Sequence, residues 1–355
     1  MVKKSVLFAA SALLTLSLAL AGCGQKDTGN TAEPKPEQKT EAKAATVQIG
    51  MLKLTSSAPL FIGIEKGFFQ EENIDAQAKW FEAAQPIAVA TAAGSVDVGA
   101  TGITASLYNM VAGGQKLVIV ADKGREQQGY SSSALLVPGD SPLKSIEELK
   151  GKKIGITQTG STYHYMAGRM LEKHGVGLSD VELIPLNSIK GLMEALKSKQ
   201  VDAVLLNEPN ISTVVAEGYG KVIAQVGDEI EYQTSGIFFS PALADNKDVA
   251  ERFLKAYAKA TRYYYDAVLT KKDGQIVPGE NFDEVVQIIA KYTDQEPDMI
   301  KKGLPYMDRD GKLLESDIKT QVEWYAKEKL IDKAIDTSEI VNTQLLEDAL
   351  QKLGK

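Results

Sequence analysis

Cysteine is nearly absent from this sequence: one residue, Cys23, in 355. A single thiol excludes an intrachain disulfide and a cysteine-built metal cluster. Catalytic signatures are missing too. There is no Gly-x-Ser-x-Gly, no His-Glu-x-x-His and no paired-cysteine pattern, and no nucleophile–base pair is visible. Positive charge is in short supply, with 40 Lys and Arg against 47 Asp and Glu, a net charge of −7. A nucleic-acid binder needs a basic patch, so that class is disfavoured. Beyond residue 21 no apolar run is long enough to span a bilayer.

What is present begins at the N-terminus. Lys3 and Lys4 precede an apolar run over 6–21 that is too short for a stable membrane span and has the layout of a secretory signal over 1–22. It ends in Leu20-Ala21-Gly22-Cys23, which resembles the bacterial lipoprotein box. That resemblance implies a lipidated Cys23, durably tethered to the extracytoplasmic face of the cell membrane. Residues 24–45 have no aromatic residue and no hydrophobic period. Such a segment buries too little surface to offset its ordering entropy, so 23–45 is expected to be a disordered leash.

From residue 46 onward, strand and helix patterns alternate. Strands are expected at 47–51, 77–81, 96–100, 117–121 and 132–137, with helices at 58–69, 86–93 and 105–112 between them. A second unit repeats the rhythm. It has a short helix at 145–149, strands at 153–157, 181–184, 201–206 and 221–224, and helices at 162–174, 190–199 and 209–217. A strand at 236–239 returns towards the first unit, followed by helices at 248–269, 282–293, 296–302 and 316–329. Short glycine-marked connections between alternating elements predict α/β architecture with mostly parallel sheets. The expected division is a first lobe of 46–136 plus 238–355, on which the C-terminal helices pack, and a second lobe of 137–237, with a ligand cleft between them.

A resemblance sharpens this. Ile64-Glu65-Lys66-Gly67-Phe68-Phe69 is followed by Gly94-Ser95-Val96-Asp97-Val98-Gly99, then Leu149-Lys150-Gly151-Lys152-Lys153-Ile154-Gly155, Gly160-Ser161-Thr162, Asp180-Val181-Glu182 and Val201-Asp202-Ala203-Val204. In order and spacing this set, over 49–209, resembles the sulfonate, nitrate, taurine and thiamine-precursor group of ABC-importer binding proteins. The resemblance implies a type II periplasmic-binding-protein fold, two α/β lobes around a hinged cleft. It further implies a small-molecule ligand, a cognate permease and ATPase, no cofactor and no enzymatic activity. We expect a monomer.

Candidate ligand residues come from helix starts, where unpaired N–H groups and a partial positive charge suit an oxyanion. Gln85 precedes Pro86 at one start. Thr101, Gly102, Ile103 and Thr104 open another, and Gly160, Ser161 and Thr162 a third. Each alone also reads as an ordinary helix cap; their match to the family's ligand loops favours binding. Tyr163 and His164 follow the third loop, as ligand-stacking ring and oxyanion donor, although His164 also suits capping of its own helix. Leu54, Thr55 and Ser56 follow the first strand at a rim position. Glu208 is placed to pair with a ligand ammonium or to favour the helix it precedes. Arg125 suits bidentate contact with a sulfonate or carboxylate, or is simply solvated.

The expected ligand is a sulfonate-type anion such as taurine or an alkyl or aryl sulfonate. A thiamine-pyrimidine or an aromatic carboxylate is the alternative, and so is a receptor lipoprotein that signals instead of transporting. A scarcity of fixed cations around these loops weighs against nitrate. His174 reads as a helix C-terminal residue, and Asp308-Arg309-Asp310-Gly311 as a turn.

Overall fold

The computed structural model describes residues 44–273 and 275–354. The expected signal, Cys23 and nearly all of the leash lie outside them. Among the described residues no helix is long and apolar enough to cross a membrane.

Two five-stranded sheets organise the chain. In chain order the strands are β1 (Ala45–Met51), β2 (Ile74–Trp80), β3 (Val98–Gly102), β4 (Val118–Glu126), β5 (Ser133–Pro138), β6 (Lys153–Ile156), β7 (Glu182–Pro185), β8 (Ala203–Asn207), β9 (Gly220–Gln225) and β10 (Tyr232–Phe239). The first sheet runs β2-β1-β3-β10-β4 and the second β7-β6-β8-β5-β9. Each begins with three parallel strands. The fourth strand of each is antiparallel to both neighbours. The sheets are therefore mixed, where mostly parallel ones were expected. The reason is topological: β5 and β10 are the strands that enter each sheet immediately after the chain crosses from the other. The 46–136 segment expected for the first lobe contains most of β5, yet β5 pairs with β8 and β9 in the second sheet. Its uninterrupted burial, Ser133 to Pro138, is that of a strand covered on both faces.

Helices cover the sheets by burying one stripe each. In Lys247–Val268 the buried positions include Ala250, Phe253, Leu254, Tyr257, Thr261, Tyr264 and Val268, a 3.6-residue period that lays one face on the first sheet. Fully burying a side chain such as Phe253 stabilises by about 1.5–3 kcal/mol. The helix predicted over 58–69 is two pieces, Ala58–Glu65 and Phe68–Glu71, because Gly67 at φ +76° breaks it.

The C-terminal helices do not all stay on the first sheet, as had been expected. Glu315–Lys327 reaches the second-lobe helix Thr162–Lys173. The Trp324 ring meets Tyr165 edge-on at 5.0 Å, and its Nε1 donates to Glu172 at 3.2 Å. Tyr325 lies 5.8 Å from Tyr108 on the first-lobe side and 5.5 Å from Tyr165 on the other. One hydrophobic core thus runs through both lobes.

Candidate functional site

The carboxyl ends of the parallel strands of both sheets converge, the usual ligand position in open α/β sheets. Between them lies a cavity of about 40 Å³. From the first lobe come Leu52, Leu54 and Ser56 after β1, Ala83 and Ala84 after β2, and Thr101 and Gly102 at the end of β3, with Lys123 on β4 and Thr234 and Ser235 on β10. From the second come Thr157 after β6, Thr162 and Tyr163 on helix Thr162–Lys173, Ile189 at the start of helix Ile189–Lys197, and Asn207 at the end of β8. A water needs roughly 10–15 Å³ by a comparable measure, so the space suits a group the size of nitrate or a sulfonate head.

Lys123 dominates the electrostatics. It is 1% exposed, and its ammonium donates to Ser56 Oγ at 2.9 Å. Burial pushes its pKa from the ordinary 10.5 down to about 7, partly opposed by Asp122. Among the described residues no carboxylate lines the cavity. Asp122 points elsewhere, accepting from the backbone N–H groups of Gly124 at 2.7 Å and Asp308 at 2.8 Å and from Gln233 Nε2 at 2.7 Å. A buried ammonium among hydroxyls, with no carboxylate of the described residues bonded to it, is an anion site. The Thr101 hydroxyl, also at the cavity wall, is buried without a partner. Three helices present their first turns here, at Ala84, Thr162 and Ile189, adding positive dipole ends.

The two walls are in contact. Ala105 N–H donates to Gly160 O at 2.9 Å, and Thr55 N–H to Glu208 O at 3.4 Å. Gly102 is required for this approach: a Cβ there would sit 2.5 Å from Thr162 Cγ2. The polar wall is also wired inwards. The Tyr163 hydroxyl donates to Asn207 Oδ1. Asn207 Nδ2 donates to Ser133 Oγ at 2.6 Å, and Ser133 Oγ donates to the buried Glu126.

Of the residues expected from sequence, Leu54, Ser56, Thr101, Gly102, Thr162 and Tyr163 line the cavity. The others do not. Thr104 caps helix Ala105–Ala112 through Leu107 N, and Ser161 caps the next lobe's helix through His164 N. Ile103 is core, and Gln85 is on the first turn of its helix with its side chain off the cavity wall. Thr55 and Gly160 contribute the cross-lobe links above.

His164 Nδ1 accepts from Gly160 N–H at 3.0 Å, and its ring stands edge-on to Trp324 at 5.9 Å. Burial lowers its pKa to about 4, so it is neutral and buttresses the loop without reaching the cavity. Glu208 accepts from Ser212 N and Oγ, both at 3.0 Å, and so serves its own helix start. Arg125 lies over the Tyr306 ring at 4.8 Å, beside Asp308 at 4.0 Å. Both are off the cavity wall.

Sequence reasoning missed Lys123, Asn207, Thr157, Thr234 and Ser235. It took the cluster after residue 121 for a loop and stopped β4 there. β4 continues to Glu126, with Gly124 at φ +135° accommodating register shifts against β10. Simple alternation could not supply it: the ladder slips between Ile237 and Phe238, so Ile119 and Ala121 face different cores. A fixed cation is therefore present, and the argument against nitrate from missing cations fails.

Comparison with known proteins agrees with this architecture. A family model described as NMT1/THI5 like matches residues 54–267, more than half of the chain. A curated relative from Bacillus subtilis (strain 168), named as an aliphatic sulfonates-binding protein, is 25% identical over 350 residues, covering 96% of each chain. The alkanesulfonate-binding protein of Xanthomonas axonopodis pv. citri, solved with MOPS bound, superposes with a TM-score of 0.71 at 20% identity, over 85% of this chain and 99% of that one. The periplasmic nitrate-binding protein of Synechocystis PCC 6803 gives 0.71 at 16% identity, over 88% and 89%. The fold is the type II periplasmic-binding-protein fold.

Proposed function

We propose that the chain, which belongs to the NMT1/THI5-like family, is the extracytoplasmic solute-binding component of an ABC importer and that its cleft captures a sulfonate-type small anion. The observation that carries this reading is Lys123, a buried ammonium facing a hydroxyl-lined cavity with no acidic residue on its wall. The sulfonate-binding names of relatives point the same way. On this reading the first lobe supplies the charge, the second closes over the ligand, and the closed pair docks on a permease driven by an ATPase. The lobes are 46–136 with 238–355 and the segment between, adjusted at β5, which moves to the second, and at β10, which moves to the first. Cys23 would hold the clamp to the membrane.

Taurine becomes the weaker sulfonate. Its ammonium would meet Leu52, Leu54 or Ile189, and the carboxylate expected to receive it, Glu208, is committed to Ser212. An aromatic carboxylate is the second reading, favoured by the same ammonium and by an aromatic residue, Tyr163, on the wall.

A thermal-shift screen of alkyl sulfonates, aryl sulfonates, aromatic carboxylates, nitrate and pyrimidines tests the reading, since a tight ligand raises stability by mass action. Sulfonates should raise the midpoint of the wild type and not that of Lys123→Met. A pyrimidine stabilising both proteins equally would overturn it.

A further inference from the structure

A second cavity adjoins the anion cavity. Leu52 from the first lobe and Ile189 from the second line both. With Leu54, Ile87 and Phe81 they form a small apolar cluster separate from the two main cores. Beyond it lies an outer cavity of about 170 Å³ whose further walls include Trp80, Phe81 and Met193. Trp80 is 42% exposed, one of few large apolar side chains so open. Its ring is backed by Phe61 at 6.1 Å and Tyr292 at 6.5 Å, and Lys53 Nζ stands 5.7 Å from it. The Lys53 ammonium is itself paired with Asp294.

The inner cavity is polar, charged and small. The outer one is larger and two-sided: Trp80, Phe81 and Met193 form an apolar side, with a half-exposed indole and a methionine that adapts to varied shapes, and Lys53, Glu82, Lys190 and Asn210 complete the wall. Between them stands a gate of two aliphatic side chains, one from each lobe. We propose that the ligand is a two-part molecule: an anionic head at Lys123, and an apolar alkyl or aryl tail that passes between Leu52 and Ile189 to lie against Trp80 and Met193. This rests on the anion reading of the inner cavity and selects within it. A bare anion such as nitrate leaves the outer cavity unused, and taurine would drive an ammonium into the aliphatic gate.

The test is calorimetric titration of the full chain with methanesulfonate, hexanesulfonate and benzenesulfonate, with displacement titration where the direct heat is small. In the wild type hexanesulfonate and benzenesulfonate should bind at least roughly tenfold more tightly than methanesulfonate, as expected for burying several CH₂ groups or a ring. Trp80→Ala should remove most of that advantage and leave methanesulfonate within about twofold, since area lost at the tail leaves the head's hydrogen bonds intact. Met193→Ala, which leaves the indole and its aromatic neighbours in place, should act in the same direction. Equal affinities for all three sulfonates, or equal losses for all three in Trp80→Ala and Met193→Ala, would overturn the tail subsite while Lys123→Met still abolishes binding. If no sulfonate binds the wild type, or Lys123→Met binds as well as the wild type, the anion reading itself falls.

Discussion

The two walls of the cavity do different work. The first-lobe wall carries Lys123, the one charged residue on the cavity, and holds it against Ser56. The second-lobe wall is neutral, with Thr157, Thr162, Tyr163 and Asn207, and two of these, Tyr163 and Asn207, are held by a chain running through Ser133 to Glu126 near the crossing between sheets. Charge on one side and oriented hydroxyls and amides on the other suit sequential capture. An anion meets the fixed ammonium first, and the second lobe then completes its hydrogen bonds. The difference between the walls teaches that affinity and closure are separable here, and mutations can set them against each other.

The largest effect should come from the charged wall. Removing a buried charged partner costs about 2–5 kcal/mol, so Lys123→Met should weaken sulfonate binding at least roughly 30-fold. The same substitution should make the unliganded protein more stable in chemical denaturation near pH 6, by about 1 kcal/mol or more, because it removes a buried ammonium whose one hydrogen bond among the described residues is to Ser56. A loss of binding with a loss of stability would mean that Lys123 is structural.

The next effect is pH dependence. Folding lowers the Lys123 pKa to about 7, so between there and 10.5 the unfolded chain holds more protons than the folded one. This group's destabilising contribution is therefore complete below pH 7 and is relieved as pH rises towards 10.5. An anion favours the charged form, so affinity should be flat below pH 7 and fall by about tenfold per pH unit above it, until the pKa of the complex is reached. Lys123→Met should lose that slope.

The neutral wall should give smaller changes of another kind. Thr162→Val and Asn207→Ala each remove about 1 kcal/mol of hydrogen bonding, a loss of roughly fivefold. Stopped-flow kinetics should place it in dissociation, with association held by Lys123. A slower association and unchanged dissociation would reverse the assigned roles. Smallest of all, Glu208→Gln should leave the affinities for taurine and propanesulfonate within about twofold of wild type, because a carboxylate serving Ser212 adds about 1 kcal/mol to its own helix and nothing to the ligand. Selective loss of taurine binding would return Glu208 to the site.

The same contrast explains what could be read from sequence. Strongly periodic segments were plain: helices Ala105–Ala112 and Phe282–Thr293 fall where their patterns put them. Strand β2 begins at Ile74, three residues before its expected start, because the charged residues before it read as a turn and its exposed positions hide the alternation. Glycine-marked loops brought Gly102, Thr162 and Tyr163 to the cavity, since helix starts are legible locally. Lys123 was not legible. Its place depends on β4 continuing through Asp122 and Gly124, which β10 makes possible by pairing from more than a hundred residues away. Arg125 and His164 were read as partners for an anion, yet Tyr306 and Trp324, on distant segments, hold them elsewhere.

The most direct test of the central claim is proton uptake on binding. Hexanesulfonate should be titrated at pH 8 in buffers of different ionisation enthalpy. With the Lys123 pKa near 7 in the unliganded protein, the wild type should take up close to one proton per ligand, and Lys123→Met close to none. Tight binding by the wild type with no dependence on the buffer would contradict a site built on that ammonium.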